Sequence, residues 1–443
     1  MRDVFAKLIT GILLMVVSIA GMNACQRETP KQKREFVRVV GDHLMIGNKT
    51  YRYIGANFWQ GAWLGAGIIP GGKERLKREL DQMEKDGIVN LRIMASSEKS
   101  SIDRSVTPCF QDAPGVYNDT LFSGLDYLLS EMGKRDMHAI MVMNDFWTWS
   151  GGMSQYVNWS TGKPIPDPVK TGDWNGFMAY SAGFYRDSLA NSMYRRYLRH
   201  VIDRTNSITG MPYKDDPTIM AWELANEPRP NPNSIKDTTL LAYFYNWVKN
   251  TADFIHSLAP NQLVTTGSEG TAGTLLKRGI FVREQQPASV DYITIHIWPK
   301  NWSWYKADSA STMFKPTVHK TFNYLDEHIA IAQKMNKPLV LEEFGLPRDN
   351  ENYDPSSPTT YRDKYYGLVF DTLATKAANG SPLVGANFWA WGGEGRAHTP
   401  DYMWKAGTDF TGDPPQEPQG LNSVFNTDTT TLDTIRKEAK RLE

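Results

Sequence analysis

Eight short apolar runs, each the length of one strand, recur along the chain with stretches of helical spacing between them. They cover 51–57, 89–94, 138–144, 219–228, 263–269, 292–298, 338–345 and 384–391. Leu76, Leu80 and Met83 mark one intervening helix within 74–86, and 121–134, 186–207, 239–257, 317–335, 362–378 and 431–442 read the same way. Runs this apolar suit strands buried on both faces, and such strands belong to parallel sheets covered by helices. Eight strands in alternation predict an α/β fold, a single-domain (β/α)8 TIM barrel over 37–443. A doubly wound sheet is the alternative. It would lack the short hairpin predicted at 36–46 around Gly41-Asp42, which can plug a barrel bottom.

The first 24 residues stand apart from this pattern. Arg2 and Lys7 form a basic start, 8–20 an apolar run, and Gly21-Met-Asn-Ala-Cys25 a small-residue end. The run is shorter than the ~20 residues that span a bilayer. It reads as a signal peptide, and the Cys after Asn23-Ala24 resembles a bacterial lipobox, which would lipidate Cys25. Residues 25–36 then form a polar tether. The expectation is a protein held in the bacterial cell envelope by that lipid, with a secreted form as the alternative. Only Cys109 remains beyond Cys25, so no disulfide framework or cysteine metal site is expected. Lys plus Arg and Asp plus Glu are both 49, and no basic block suggests a nucleic-acid partner.

In a barrel of this kind the site lies at the C-terminal ends of the strands. Those ends carry Asn57, Arg92, Asn144, Asn226, Glu227, Glu269, His296, Trp298, Glu343 and Trp389. Two glutamates, one at the end of the fourth run and one at the end of the seventh, supply the carboxyl pair that glycoside hydrolysis requires. His296 is the only histidine at a strand end, which argues against a multi-histidine metal centre. A long excursion over 145–182 carries Trp147, Trp149, Tyr156, Trp159 and Trp174. Long loops are functional or disordered, and this aromatic load opposes disorder.

These residues resemble glycoside hydrolase family 5, within the clan of large retaining barrels. Asn226-Glu227-Pro228 is similar to the clan's acid/base signature and Glu343-Phe-Gly345 to its nucleophile signature. Gly55-Ala-Asn-Phe-Trp59, Glu227-Pro-Arg229 and His296-Ile-Trp-Pro299 are similar, more narrowly, to the β-mannanase subfamily. The resemblance implies Glu227 as acid/base, Glu343 as nucleophile, Trp389 as the floor under the sugar and Arg229 on the leaving-group side. Many relatives have Tyr where this chain has Trp298, which leaves open how Glu343 is held.

Chemistry supplies further expectations. Arg92 beside Glu343 would keep that carboxyl ionised, and Glu227, with fewer positive neighbours, would keep a raised pKa and act as acid. Asn226 would hydrogen-bond the sugar 2-hydroxyl, and His296 would orient Glu227. Asn57 and Asn144 divide between loop bracing and sugar contact, and Trp59 between core packing and stacking. Glu223 and Glu342 read as structural partners of buried cations or backbone amides. The expected function is a retaining endo-β-1,4-mannanase without a cofactor, acting on mannan, glucomannan or galactomannan. The alternatives are an exo-acting β-mannosidase or a β-1,4-glucanase of the same family, or a glycan-binding lipoprotein without catalysis.

Overall fold

The computed structural model describes residues 34–442. The signal peptide, Cys25 and most of the tether lie outside the described residues. Eight parallel strands form the barrel: β1 (Tyr53–Asn57), β2 (Ile88–Met94), β3 (His138–Val142), β4 (Ile219–Glu223), β5 (Leu263–Thr265), β6 (Ile293–Ile297), β7 (Leu339–Phe344) and β8 (Leu383–Phe388). Ladder hydrogen bonds run in the order β5-β4-β3-β2-β1-β8-β7-β6. The remaining seam is closed by Asp291 N donating to Val264 O at 2.8 Å, Thr265 Oγ1 to Tyr292 O at 3.0 Å and His296 N to Glu269 O at 3.3 Å. The predicted (β/α)8 barrel is therefore the fold, with each of the eight apolar runs supplying one strand.

The bottom of the barrel is plugged as expected. Strands Val37–Val40, His43–Ile46 and Lys49–Thr50 form a small antiparallel sheet. Val37 and Leu44 bury against the inward side chains of Tyr53, Ile140, Met220, Val340 and Val384. The interior is filled by side chains, which leaves chemistry to the upper rim. Outside, helices bury one stripe each; in Gly72–Lys85 that stripe is Leu76, Leu80 and Met83.

Two insertions build the rim. The excursion after β3 is not one loop but three short helices, Gly152–Thr161, Pro168–Thr171 and Trp174–Ser181. Asp167 and Asp173 cap the second and third, each side chain accepting backbone N–H bonds that the helix start leaves open. The second insertion, 394–423 after β8, has no periodicity and went unread in the sequence. It folds around the buried Asp413 carboxylate, which accepts from Gly420 N at 2.8 Å, Asn422 N at 2.9 Å and Ser423 Oγ at 2.5 Å. Among the described residues no helix is long and apolar enough to cross a membrane.

Candidate active site

Strand register places Glu343 beside His296, and the segment that follows β4 carries Glu227 to them. Asn57 of β1 lies opposite Arg92 of β2, and His296 of β6 opposite Glu343 of β7. Arg92, 3% exposed, is the hub. Its Nε and Nη2 donate to Glu223 at 2.7 and 2.6 Å, Nη1 to Asn57 Oδ1 at 3.0 Å, and Nη2 to Asn226 Oδ1 at 2.8 Å. Nη1 also pairs with Glu343 Oε1. Glu223 is thus the structural partner of a buried cation. Glu342 stays behind the site, its backbone oxygen accepting from Asn57 Nδ2 at 2.9 Å.

Glu343 also accepts from the indole of Trp298, Nε1 to Oε2 at 3.1 Å. The indole hydrogen does what a tyrosine hydroxyl would do at this position, since only a donor is needed. Gly345 lets the wall close: a Cβ there would stand 3.1 Å from both the Trp298 ring and the Trp389 carbonyl. On the other side, Glu227 accepts from Trp147 Nε1 at 2.6 Å and shares a 2.7 Å bond with His296 Nδ1. The backbone of Glu227 has φ 50°, a left-handed conformation that costs roughly 1 kcal/mol or more outside glycine. Its N–H is tied to Gly267 O at 2.9 Å, which holds it there.

Oxygens of Glu227 and Glu343 and a ring nitrogen of His296 all lie within 4.8 Å of one another. That spacing would suit a metal ion. The donors already aimed at these oxygens (Arg92, Trp298, Trp147 and His296) make the set a proton-sharing cluster instead, and the guanidinium would repel a cation.

The charges differ from the sequence expectation. Burial pushes Glu227 up, but the hydrogen bond and charge of His296 pull it further down, aided by Arg229 and Trp147, to below the ordinary value. Glu343 ends above its ordinary value, because burial outweighs His296 and Arg92. His296 resists burial through the charges of Glu343 and Glu227 and is pushed up to about 10. Glu227 does not have fewer positive neighbours than Glu343; the proton expected on Glu227 rests on His296, 2.7 Å away.

A cavity of about 640 Å³ opens over this cluster, lined by Asn226, Glu227, Arg229, Trp298, Glu343 and Trp389 from the strand ends. Trp147, Trp149, Trp174 and Met178 from the excursion join them, with Glu269, Trp302, Gln416 and Glu417. Arg229 donates to both oxygens of Glu269, Nε at 2.6 Å and Nη2 at 2.7 Å, and its guanidinium lies 4.9 Å from the Trp147 ring centre.

Three residues that the sequence leaves open between bracing and sugar contact, Asn57, Asn144 and Trp59, do not line the cavity. Asn57 is spent on Arg92 and on two backbone oxygens, Glu342 and Phe388. Asn144 is fully buried, its Oδ1 accepting from Asp145 N at 2.8 Å. Trp59 packs among Trp63, Trp149 and Phe410 and donates to Gly412 O at 2.7 Å. Arg92 and His296 touch the carboxylates rather than the open space. Gln416 and Glu417 lie in an insertion where no strand spacing points at them, whereas Trp147, which the sequence leaves open between core and stacking platform, lines the cavity and donates to Glu227.

Comparison with known proteins agrees with this geometry. The family model described as GH family 5 beta-mannosidase-like matches residues 34–443. Mannan endo-1,4-beta-mannosidase 4 of Solanum lycopersicum is 29% identical over 376 residues, 83% of this chain and 86% of its own. A glycoside hydrolase family 5 mannosidase from Rhizomucor miehei superimposes with a TM-score of 0.84 at 36% identity, covering 93% of this chain and 98% of that one. The endo-1,4-beta-mannanase of the same fungus shares the fold, with a TM-score of 0.66 at 22% identity over 92% of this chain and 99% of its own.

Proposed function

This chain belongs to the β-mannosidase-like group of glycoside hydrolase family 5, and on that premise we propose that it hydrolyses β-1,4-mannosidic bonds with retention. The observation that carries this reading is the separation of the two carboxyls. Their oxygens approach within 4.8 Å, close to the ~5–5.5 Å of retaining enzymes and short of the ~6.5–9.5 Å that an inverting enzyme needs to admit water. Glu343, held ionised by Arg92 and Trp298, attacks the anomeric carbon. The proton that rests on His296 passes through Glu227 to the leaving oxygen, which leaves Glu227 ionised. In the second half Glu227 takes a proton from water, which then releases the sugar from Glu343. Trp389 and Trp298 face the sugar at the cleavage point, and Asn226 meets its 2-hydroxyl. Arg229, Trp147 and Glu269 form the aglycone side. The β-mannoside assignment draws on the mannan- and mannosidase-named relatives.

Internal cleavage is the first reading, supported by the mannan endo-1,4-beta-mannosidase names of the curated relatives. A second reading, release of mannose from chain ends, is favoured by one contact. Thr148 Oγ1 of the excursion meets Gln416 Oε1 at 3.4 Å, joining the loop after β3 to the loop after β8 across β1 and β2. Arg229 and Glu269, after β4 and β5, lie on the opposite side. A chain running past Trp389 away from Arg229 meets that bridge. Digests of mannan, glucomannan, galactomannan and cellulose, followed over time by product length, decide between the readings. Early long fragments from mannan establish internal cleavage, mannose alone establishes terminal release, and turnover of cellulose only refutes the β-mannoside assignment.

The charge arrangement predicts the pH profile. Glu343 must be ionised, and burial raises it above 4.5. The acid limb of kcat/KM is therefore expected above pH 4.5, with activity falling as pH falls through it. The proton on His296 leaves near pH 10, so activity is lost as pH rises toward that value. An acid midpoint below that of a free glutamate would contradict the assignment of Glu343.

We also propose that a lipid on Cys25 anchors the enzyme in the cell envelope, supported by the basic, apolar and small-residue order of 2–25. Cys25→Ala is expected to move the protein to the soluble fraction; continued membrane retention would refute it.

A further inference from the structure

One buried carboxylate at the reaction centre has no task in the mechanism above. Asp145, three residues past the end of β3, has no solvent exposure. Its Oδ1 accepts from Asn226 Nδ2 at 3.0 Å and from the backbone N–H of Trp147 at 3.0 Å, and its Oδ2 accepts from Ser150 Oγ at 2.8 Å. The backbones are locked as well: Asn226 N donates to Asn144 O at 2.9 Å, Phe146 N to Asn226 O at 3.0 Å, and Met153 N to Asp145 O at 2.8 Å. Gly152, at φ +61°, makes this last closure possible, since a Cβ there would stand 2.1 Å from Asp145 O.

Asp145 joins two residues that act on the reacting atoms. Asn226 lies between Arg92, which can only donate, and the Asp145 carboxylate, which can only accept. Its amide therefore has one orientation, Oδ1 toward Arg92 and Nδ2 toward Asp145. The second hydrogen on Nδ2 is left for the cavity that Asn226 lines. Trp147, fixed at its backbone by the same oxygen, sends its indole N–H to Glu227.

We propose that Asp145 is a positioning residue for glycoside cleavage, setting the Asn226 amide toward the sugar 2-hydroxyl and seating Trp147 against Glu227. The inference rests on the retaining β-mannosidase reading of this site.

The test compares kcat/KM on an aryl β-mannoside and on its 2-deoxy counterpart, both with a leaving group that needs little protonation. Burial pushes Asp145 up to about 7, so the assay runs above that pH. Asp145→Ala is expected to lose about 10- to 100-fold on the mannoside but no more than about threefold on the 2-deoxy sugar, where the hydroxyl that Asn226 would meet is missing. Equal losses on both substrates would overturn the proposal, because a general loss of structure does not sense one hydroxyl. If the alanine variant does not fold, Asp145→Asn keeps the shape and drops the charge. It is expected to show a smaller loss with the same substrate dependence, and equal losses again refute. A Glu343→Gln enzyme that still turns over would sink the reading of the site instead, which separates the two failures.

Discussion

Glu343→Gln is expected to lower turnover of a β-mannoside by at least about 10³-fold, because the amide cannot form the glycosyl ester on which the two-step route depends. The change keeps shape, and the amide still accepts from Trp298, so the fold should survive. The companion variant Glu343→Ala leaves a space that an added anion such as azide can enter. It would attack from the nucleophile's side and give an α-configured glycosyl azide. Glu227→Ala should behave oppositely. Azide would there trap the covalent intermediate from the face where water enters and give the β product. Substrates with good leaving groups should still form that intermediate, since they do not need the Glu227 proton. A Glu343→Gln enzyme of near-normal activity, or β azide product from both alanine variants, would refute Glu343 as nucleophile, and β product from Glu343→Ala with α product from Glu227→Ala would reverse the two roles.

Arg92→Met is expected to remove both activity and much of the stability. The guanidinium is the donor for Glu223, Glu343, Asn57 and Asn226 at once. Taking away one partner of a buried ion pair costs about 3–5 kcal/mol, because the remaining charge is stranded away from water. Burial already pushes Glu223 up to about 8, against the pull of Arg92. Without that pull it would rise further still. A carboxyl whose folded pKa is raised contributes no penalty below its unfolded value, and the penalty grows from there up to the folded value and then levels off. The share of the urea-unfolding deficit of Arg92→Met that comes from Glu223 should thus open as pH rises above about 8, where the wild-type carboxyl ionises and that of the variant does not. A variant within about 1 kcal/mol of wild type at neutral pH would show that Arg92 is not the hub described.

The fold could be read from the chain because the hydrophobic pattern has two periods, and burial selects between them. Runs such as His138–Val142, apolar at every position from 139 to 142, are apolar on both faces, so only a covered parallel strand satisfies them. Alternation with helical stripes then leaves few closures besides the barrel. Glu227 and Glu343 were visible for the same reason. Each ends such a run, where a charge is tolerated only on the rim.

The limits are equally physical. Asn57 and Asn144 end strands too, but whether a strand-end amide faces sugar or neighbouring backbone depends on who else needs a hydrogen bond there. Arg92 and Asp145 settled that. Trp59 and Trp147 are both tryptophans near the rim. One packs under the 394–423 insertion, and the other reaches Glu227.

The barrel, the run that bears each glutamate, and Arg92 and His296 as strand-end donors beside them were legible in the chain, because these follow from local period and strand order. Only the tertiary structure decided where the proton rests and which rim residues face the cavity. It also decided that Trp298 can hold Glu343 and that the loops after β3 and β8 touch. Those outcomes depend on summed charges and contacts among residues tens to hundreds of positions apart, and no local pattern carries that sum.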